Sequence, residues 1–271
     1  LRAKAENRTV LPPMIAFVSD IHSNMAALGV CLAEIERLGC KRILCLGDVI
    51  GYGPEPRETL ATIMQRAELT ILGNHEHGAM FYASDFNPRA RAAIDWTRDQ
   101  LSRRDRPREE NMKFWNYLDG MPREHREGRM LLVHGSPRDP VREYLVPRDA
   151  ADQEKMGECF AKMADANLCF VGHSHVPGVY LESGRFLLPA EIGNSWQVTE
   201  RAIVNIGSVG QPRDGDPRAS FVTYEPGAGP IGAAGTVRFH RLEYDVAATM
   251  QKIRSIQELP DYLADRLAQG R

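Results

Sequence analysis

The chain has 271 residues, 43% of them hydrophobic, with 34 basic against 36 acidic side chains and a formal net charge of −2. That is enough apolar residue to bury the core of one large domain or two small ones, which excludes a disordered chain. The charge balance gives no bulk electrostatic case for nucleic acid or an anionic membrane, so any anion binding must be local.

In chain order, a polar N-terminus expected to fray gives way to MIAFVSD, which reads as a fully buried strand. A helix follows whose stripe is Leu28, Cys31, Leu32, Ile35 and Leu38, with Gly39 where a helix C-cap is wanted. The alternation repeats with strand KRILCLGD, a turn rich in Gly and Pro, a helix from about Glu55 to Ala67 and strand ELTILGNH. This rhythm predicts parallel strands joined by crossover helices.

Residues 79 to 127 break the rhythm with two helical patterns, one opened by Asn87-Pro88 and carrying Ala90, Ala93, Ile94, Thr97 and Leu101 on one face. They read as an insertion or cap whose middle, LSRRDRPREE, is too polar for core. Strand RMLLVHG resumes the core, a helix covers about Arg148 to Ala166, and LCFVGHSH follows. From Gly178 to Asp245 the texture is of short strands and turns, and the tail DVAATMQKIRSIQELPDYLADRLAQ reads as a helical hairpin broken near Pro260. With no internal repeat and no long low-complexity linker, one domain is expected.

The five cysteines, at 31, 40, 45, 159 and 169, form no C-x-x-C pair and read as small core hydrophobes. No run approaches the ~18 apolar residues of a membrane span. The opening LRAKAENRTVLPP lacks the apolar stretch of a signal peptide, so the cytoplasm is the expected location.

Five of the eight histidines, His22, His75, His134, His173 and His175, lie at or just beyond the C-terminal end of an apolar strand, as do Asp20, Asp48 and Asn74. Loops at such ends converge on the ligand crevice of open α/β sheets. Asp20 and His22 stand on alternate positions, which strand geometry sends to one face. Singly, each of these residues has a structural explanation; Asp48 in GDVIGYGP, for example, could cap a turn. Gathered together, uncompensated carboxylates and imidazoles would be expensive to desolvate, and divalent cations remove that cost. Oxygen and nitrogen donors suit Mn²⁺, Fe or Zn²⁺ better than Ca²⁺, and the donors are too many for one tetrahedral zinc. Two metals sharing a bridging carboxylate is the economical count.

DIH at 20 to 22, GDVIG at 47 to 51, GNHE at 73 to 76, VHG at 133 to 135 and GHSH at 172 to 175 resemble, in order, the five motifs of the calcineurin-like metallophosphoesterases. The resemblance covers roughly residues 14 to 210, and its end, NIGSVGQPRDGDPRAS, looks like a small bacterial phosphoesterase branch distantly similar to diadenosine tetraphosphatases and phage-type protein phosphatases. It implies an α/β fold: a sandwich of two mixed sheets flanked by helices (α/β/β/α). The domain would span 14–245, with 79–127 as a helical cap and a helical hairpin over 246–271 packed on it.

The resemblance also implies two divalent or trivalent ions, Mn²⁺ first, with Fe or Zn²⁺ as alternatives. One would be held by Asp20, His22 and His175, the other by Asn74, His134 and His173, with Asp48 as the bridge and His75 as a non-ligand catalytic histidine. A phosphomonoester or phosphodiester would be hydrolysed by in-line attack of a metal-bridging hydroxide, with His75 as general acid. A nucleotide or dinucleoside polyphosphate is the expected kind of small substrate, and no nucleic-acid or membrane partner is expected.

Two departures matter. Ser23 stands where many relatives have Gly, and GNHEHG continues with His77 and Gly78 where the Ser/Thr phosphatases carry Ser-Arg. The missing phosphate-clamping arginine counts against a phosphoprotein phosphatase. Arg213 in GQPRDGDP is a candidate substitute, against the simpler reading of a turn arginine paired with Asp214 or Asp216. Tyr52 either stacks on a substrate base or packs its loop, and Asn24 either caps the next helix or reaches the site. The alternatives are a non-catalytic metal-binding scaffold, discouraged by the complete set including His75, and a nuclease, discouraged by the lack of basic patches interleaved with aromatics.

Overall fold

The computed structural model describes residues 12–81, 83 and 86–271; the N-terminus expected to fray, residues 1–11, lies outside them. Its apolar runs fold in the order β1 (Ile15–Val18), α1 (Met25–Arg37), β2 (Arg42–Cys45), α2 (Pro56–Arg66), β3 (Leu69–Thr70) and α3 (Asn74–Met80). Helices α4 (Pro88–Leu101) and α5 (Arg108–Asp119) come next, then β4 (Glu124–Glu127), β5 (Met130–Val133), α6 (Gln153–Lys162), β6 (Leu168–Val171), β7 (Gly178–Leu181) and β8 (Phe186–Leu187). The chain ends with β9 (Ser195–Gln197), β10 (Ala202–Asn205), β11 (Ala219–Pro226), β12 (Gly235–Leu242), α7 (Val246–Arg254) and α8 (Tyr262–Gln269).

The strands form two sheets, ordered β3-β2-β1-β11-β12-β9 and β4-β5-β6-β10-β7-β8. Both are mixed: β1, β2 and β3 run parallel while β11 joins antiparallel, and β5, β6 and β10 run parallel while β7 and β4 close the flanks antiparallel. This is the two-sheet, helix-flanked architecture expected from the sequence.

All four β1 residues are buried because each face of the strand meets a different layer. Ile15 and Phe17 point between the sheets, joining Leu132, Phe170 and Val204 of the opposite sheet, and the Phe17 and Phe170 rings stack 4.0 Å apart. Ala16 and Val18 point the other way, against Leu28, Cys31 and Ile35 of α1. Each large side chain so buried contributes about 1.5–3 kcal/mol. A third apolar layer joins Met156, Cys159 and Phe160 of α6 to the outer face of the second sheet. A fourth gathers Tyr52, α4 and the C-terminal pair α7 and α8.

The helix expected over 148–166 is interrupted. A 3₁₀ turn at Pro147–Ala151 ends at Asp152, whose carboxylate accepts the Lys155 N–H at 3.0 Å and starts α6 afresh. ELTILGNH pairs as a strand only at Leu69–Thr70, since Gly73 and Asn74 turn the chain into α3. Among the described residues no helix is long and apolar enough to cross a membrane.

Candidate metal centre

The strand ends deliver the candidate ligands to one edge of the sandwich. Asp20 and His22 follow β1, Asp48 follows β2, Asn74 and His75 open α3, His134 follows β5, and His173 and His175 follow β6. Asp20, His22, Asp48, His75, His134, His173 and His175 are all buried. Strand alternation is not what brings Asp20 and His22 together, because β1 ends at Val18 and both residues sit in the left-handed region, at φ 52° and 48°. A tight turn aims the two side chains, held by the Asp20 N–H on the Gly47 carbonyl and the His22 N–H on that of Asp48, each at 3.0 Å.

Backbone carbonyls fix the tautomers. His22 donates its Nδ1–H to Ile50 at 3.2 Å, His134 to Leu46 at 2.8 Å and His175 to Gln211 at 2.5 Å, while His173 donates its Nε2–H to Arg142 at 3.0 Å. A carbonyl only accepts, so in each neutral ring the other nitrogen is a bare lone pair. These lone pairs face one another: His22 Nε2 lies 3.2 Å from His175 Nε2, and His134 Nε2 lies 3.1 Å from His173 Nδ1 and 3.0 Å from Asn74 Oδ1. Asp20 Oδ1, 3.0 Å from His175 Nε2, accepts no hydrogen bond.

With these rings neutral, acceptors this close have no hydrogen between them and fit cations. Three groups have donor atoms within 4.8 Å of one another: Asp20, His22 and His175; Asp48, His134 and His173; and His22, Asp48 and His75. Asp48 Oδ2 stands between them, 3.4 Å from His134 Nε2, 3.7 Å from His22 Nε2 and 4.0 Å from His75 Nε2.

The electrostatics follow from burial and the two carboxylates. Burial disfavours the Asp48 charge, but His134, His75 and His22 hold its carboxyl well below the usual range. Burial likewise opposes a charge on His134, yet Asp48, Asp20 and Glu76 outweigh it and push this imidazole up to about 9, so a proton competes there with any cation. Burial and the His134 charge push His173 down to about 3, and burial and His75 push His22 well down. His75 differs from the other four. Burial pushes it down to about 4, its Nδ1 has no hydrogen-bond partner, and its backbone N–H donates to Asp48 Oδ1 at 2.9 Å.

Of the candidate substrate contacts, Tyr52 lies with its ring 4.6 Å from His22 and 4.4 Å from His75. Asn24 caps α1, accepting the Ala27 N–H at 3.2 Å, while its amide donates to the Gly210 carbonyl at 2.9 Å. Arg213 pairs with neither neighbouring carboxylate: Asp214 takes Arg241 and Asp216 takes Arg218.

Several residues at the site went unassigned in the sequence. Glu76, fully buried, accepts N–H bonds from Asp48 at 2.8 Å, Ile50 at 3.1 Å and Gly73 at 3.1 Å, so the last letter of GNHE fixes the loop that carries Asp48. Tyr144 stacks on His173 at 3.7 Å, and the Phe86 ring meets His75 edge-on at 5.2 Å. With Tyr52, Asn74, His77 and Arg142 they line a cavity of about 190 Å³ beside the centre. Glu76 was readable from its place in the motif; Tyr144 and Phe86 sit in loops with no periodic signal.

Residues 14–228 match the calcineurin-like phosphoesterase superfamily domain. An uncharacterised protein of Methanocaldococcus jannaschii is 36% identical over 263 residues, covering 95% of this chain and 98% of its own length. The crystal structure of a metallophosphoesterase from Sphaerobacter thermophilus superposes with a TM-score of 0.75 at 36% identity, covering 96% of this chain and 99% of its own. A hypothetical protein from Pyrococcus horikoshii OT3 shares the fold at a TM-score of 0.71 and 19% identity, over 95% of this chain and 98% of its own. With its ordered motifs gathered at one edge of a two-sheet sandwich, the chain belongs to the calcineurin-like phosphoesterase superfamily.

Proposed function

We infer that the chain is a metal-dependent phosphoester hydrolase acting on a small phosphorylated compound. The observation that carries this reading is the convergence of bare imidazole lone pairs and carboxylate oxygens on shared points. Asp20, His22 and His175 would hold one ion and Asn74, His134 and His173 the other, with Asp48 shared; Mn²⁺ suits this nitrogen and oxygen set. Bound there, such ions supply acidified water and positive charge for the phosphoryl oxygens. The chain's own contribution is orientation: carbonyl-fixed imidazoles cannot rotate away, and Glu76 holds the Asp48 loop. His75 stands beside Asp48 to give a proton to the departing oxygen. Burial holds its imidazole down at about 4, so it must first take a proton from solvent before it can give one to the departing oxygen. The five free cysteines suit a reducing cytoplasm.

A second reading makes His75 itself a ligand, since a ring nitrogen of it lies within 4.8 Å of donor atoms of His22 and Asp48. One experiment separates the two. Hydrolysis of p-nitrophenyl phosphate or its diester is expected to vanish with chelator and return with Mn²⁺, and full turnover in rigorously metal-free protein would sink the proposal. Asp48→Asn is expected to lose metal, whereas His75→Asn keeps it while turnover falls by about 10²–10⁴ on alkyl esters and less on p-nitrophenyl esters, whose leaving group departs unaided. Metal loss in His75→Asn would favour the ligand reading.

A further inference from the structure

The segment NIGSVGQ, residues 205 to 211, carries the chain from β10 in the second sheet toward β11 in the first. It passes against the turn that follows β1. The Val209 and Gly210 N–H groups donate to the Ser19 and Asp20 carbonyls, each at 3.0 Å, and a Cβ at Gly210 would collide with the Ile21 carbonyl. Ser208, wholly buried, donates its hydroxyl to the Asp20 carbonyl at 2.8 Å and accepts the Gln211 N–H at 2.8 Å. The Gln211 carbonyl in turn accepts the His175 Nδ1–H at 2.5 Å. One hydroxyl thus braces Asp20, delivered by the first sheet, against the turn that orients His175, delivered by the second.

That brace sits where it is needed. Asp20 is held in the left-handed region, at φ 52°, a backbone that relaxes unless its surroundings fix it. Its Oδ1 must also stay beside His175 Nε2, now 3.0 Å away, although the two residues follow strands of different sheets. The rings of the other convergence point are fixed elsewhere, His134 on the Leu46 carbonyl and His173 on that of Arg142. The two points are linked by the His173 N–H, which donates to Asp20 Oδ2 at 3.0 Å, but that bond holds backbone and leaves the His173 ring to Arg142. Asn205 is less selective, since its amide donates to the Gly172 carbonyl at 2.7 Å and to Ser174 Oγ at 2.8 Å, between His173 and His175.

We propose that Ser208 is a positioning residue for one ion only. Its hydroxyl sets the affinity of the point formed by Asp20, His22 and His175 and leaves the point formed by Asn74, His134 and His173 almost untouched. This rests on the metal-binding reading above. Groups that orient ligands from outside the coordination sphere are worth about 10–100-fold in metal affinity.

The test titrates Mn²⁺ calorimetrically into the metal-free full chain in two backgrounds, each lacking one ligand. In His134→Ala the remaining strong site is that of Asp20, His22 and His175, and adding Ser208→Ala is expected to weaken it about 10–100-fold. In His22→Ala the remaining site is the other, and adding Ser208→Ala is expected to change its affinity less than about threefold. Ser220→Ala is the structural control: its hydroxyl is equally buried but donates to the Ile206 carbonyl at 3.2 Å, so it is expected to lower the melting temperature of the metal-free chain comparably while both ions bind as in wild type. Ser208→Thr, which keeps the hydroxyl, is expected to restore most of the affinity. Equal weakening in the two backgrounds, or unaltered binding in the His134→Ala background, overturns the proposal. So does a wild type that takes up a single ion. Hydrolysis plays no part in these titrations, so a chain that turns over neither p-nitrophenyl ester fails the phosphoester reading while the role of Ser208 is still decided.

Discussion

Asp20, His22, Ser23, Asp48, Tyr52, His173 and His175 all adopt positive φ, and all lie in the loops of the centre. Such backbone costs on the order of 1 kcal/mol or more per residue and persists where the surroundings over-determine it. Here the hydrogen bonds of those loops do so, and the gain is that short turns aim side chains that extended strands would splay. The motifs made Asp20, His22, Asp48, His173 and His175 legible as candidate ligands, but not the turn geometry, because a φ angle leaves no mark on a side chain that tolerates it badly. Gly51 shows the same economy from the other side. Its φ is +90°, and a Cβ there would stand 2.1 Å from His75 Nδ1. Gly51→Ala is therefore expected to push the His75 ring off its place while leaving the carbonyl-fixed imidazoles alone. Turnover on an alkyl ester should fall by about 10² with metal content unchanged, and stability by about 1–3 kcal/mol. Full turnover in this variant would show that His75 does not need its observed position.

Arg57, on α2, belongs to the scale of elements. Only 8% exposed, it donates Nη1 to the carbonyls of Gln100 at 2.9 Å and Leu101 at 3.3 Å and to Asn111 Oδ1 at 2.7 Å. Its Nη2 reaches Glu110 Oε1 at 2.5 Å, and its guanidinium covers the Phe114 ring at 4.8 Å. One side chain thus satisfies carbonyls at the end of α4 and pins both cap helices to α2. Arg57→Met keeps the stem but orphans those acceptors, at a cost of about 2–4 kcal/mol, so the melting temperature is expected to drop by roughly 5–10 °C while metal affinity holds. An unchanged melting curve would place the cap's anchorage elsewhere. The sequence made the cap helices visible through Asn87 and the Ala90, Ala93 and Ile94 stripe, and Asn87 Oδ1 does accept the Arg89 and Ala90 N–H groups, each at 3.1 Å. It did not reveal Arg57, because an arginine in PRETLATIMQR has the periodicity of a solvated face and its partners come from 43 to 57 residues away. The same locality hid the break at Asp152, where one carboxylate ends a turn and begins a helix inside a continuous amphipathic pattern.

At the scale of the whole molecule, the layers follow from apolar runs that any reading of the chain can find, but the tie between the two sheets at their edge is ionic. Arg42, which opens β2, donates Nε to Glu68 at 2.8 Å and Nη1 to Glu127 of β4 at 2.8 Å, so a single guanidinium joins the first sheet to the second. A net charge of −2 says nothing of such pairing. The hydrogen bond from Arg42 holds the Glu68 carboxyl below its ordinary value of 4.5 against a small opposing effect of burial. A carboxyl with a lowered folded-state pKa contributes its stability in full above the unfolded value and loses it as pH falls through the folded one. The melting temperatures of wild type and Arg42→Met should therefore differ most above pH 4.5 and converge as the pH is taken lower. Glu68 is half exposed, so the difference is small, about 2 °C, and 0.5 M salt should shrink it further. A gap that stays constant through pH 3 and ignores salt would mean that the Arg42 stem, packed across the sheet edge, matters and its charge does not, since only a charge responds to both proton and salt.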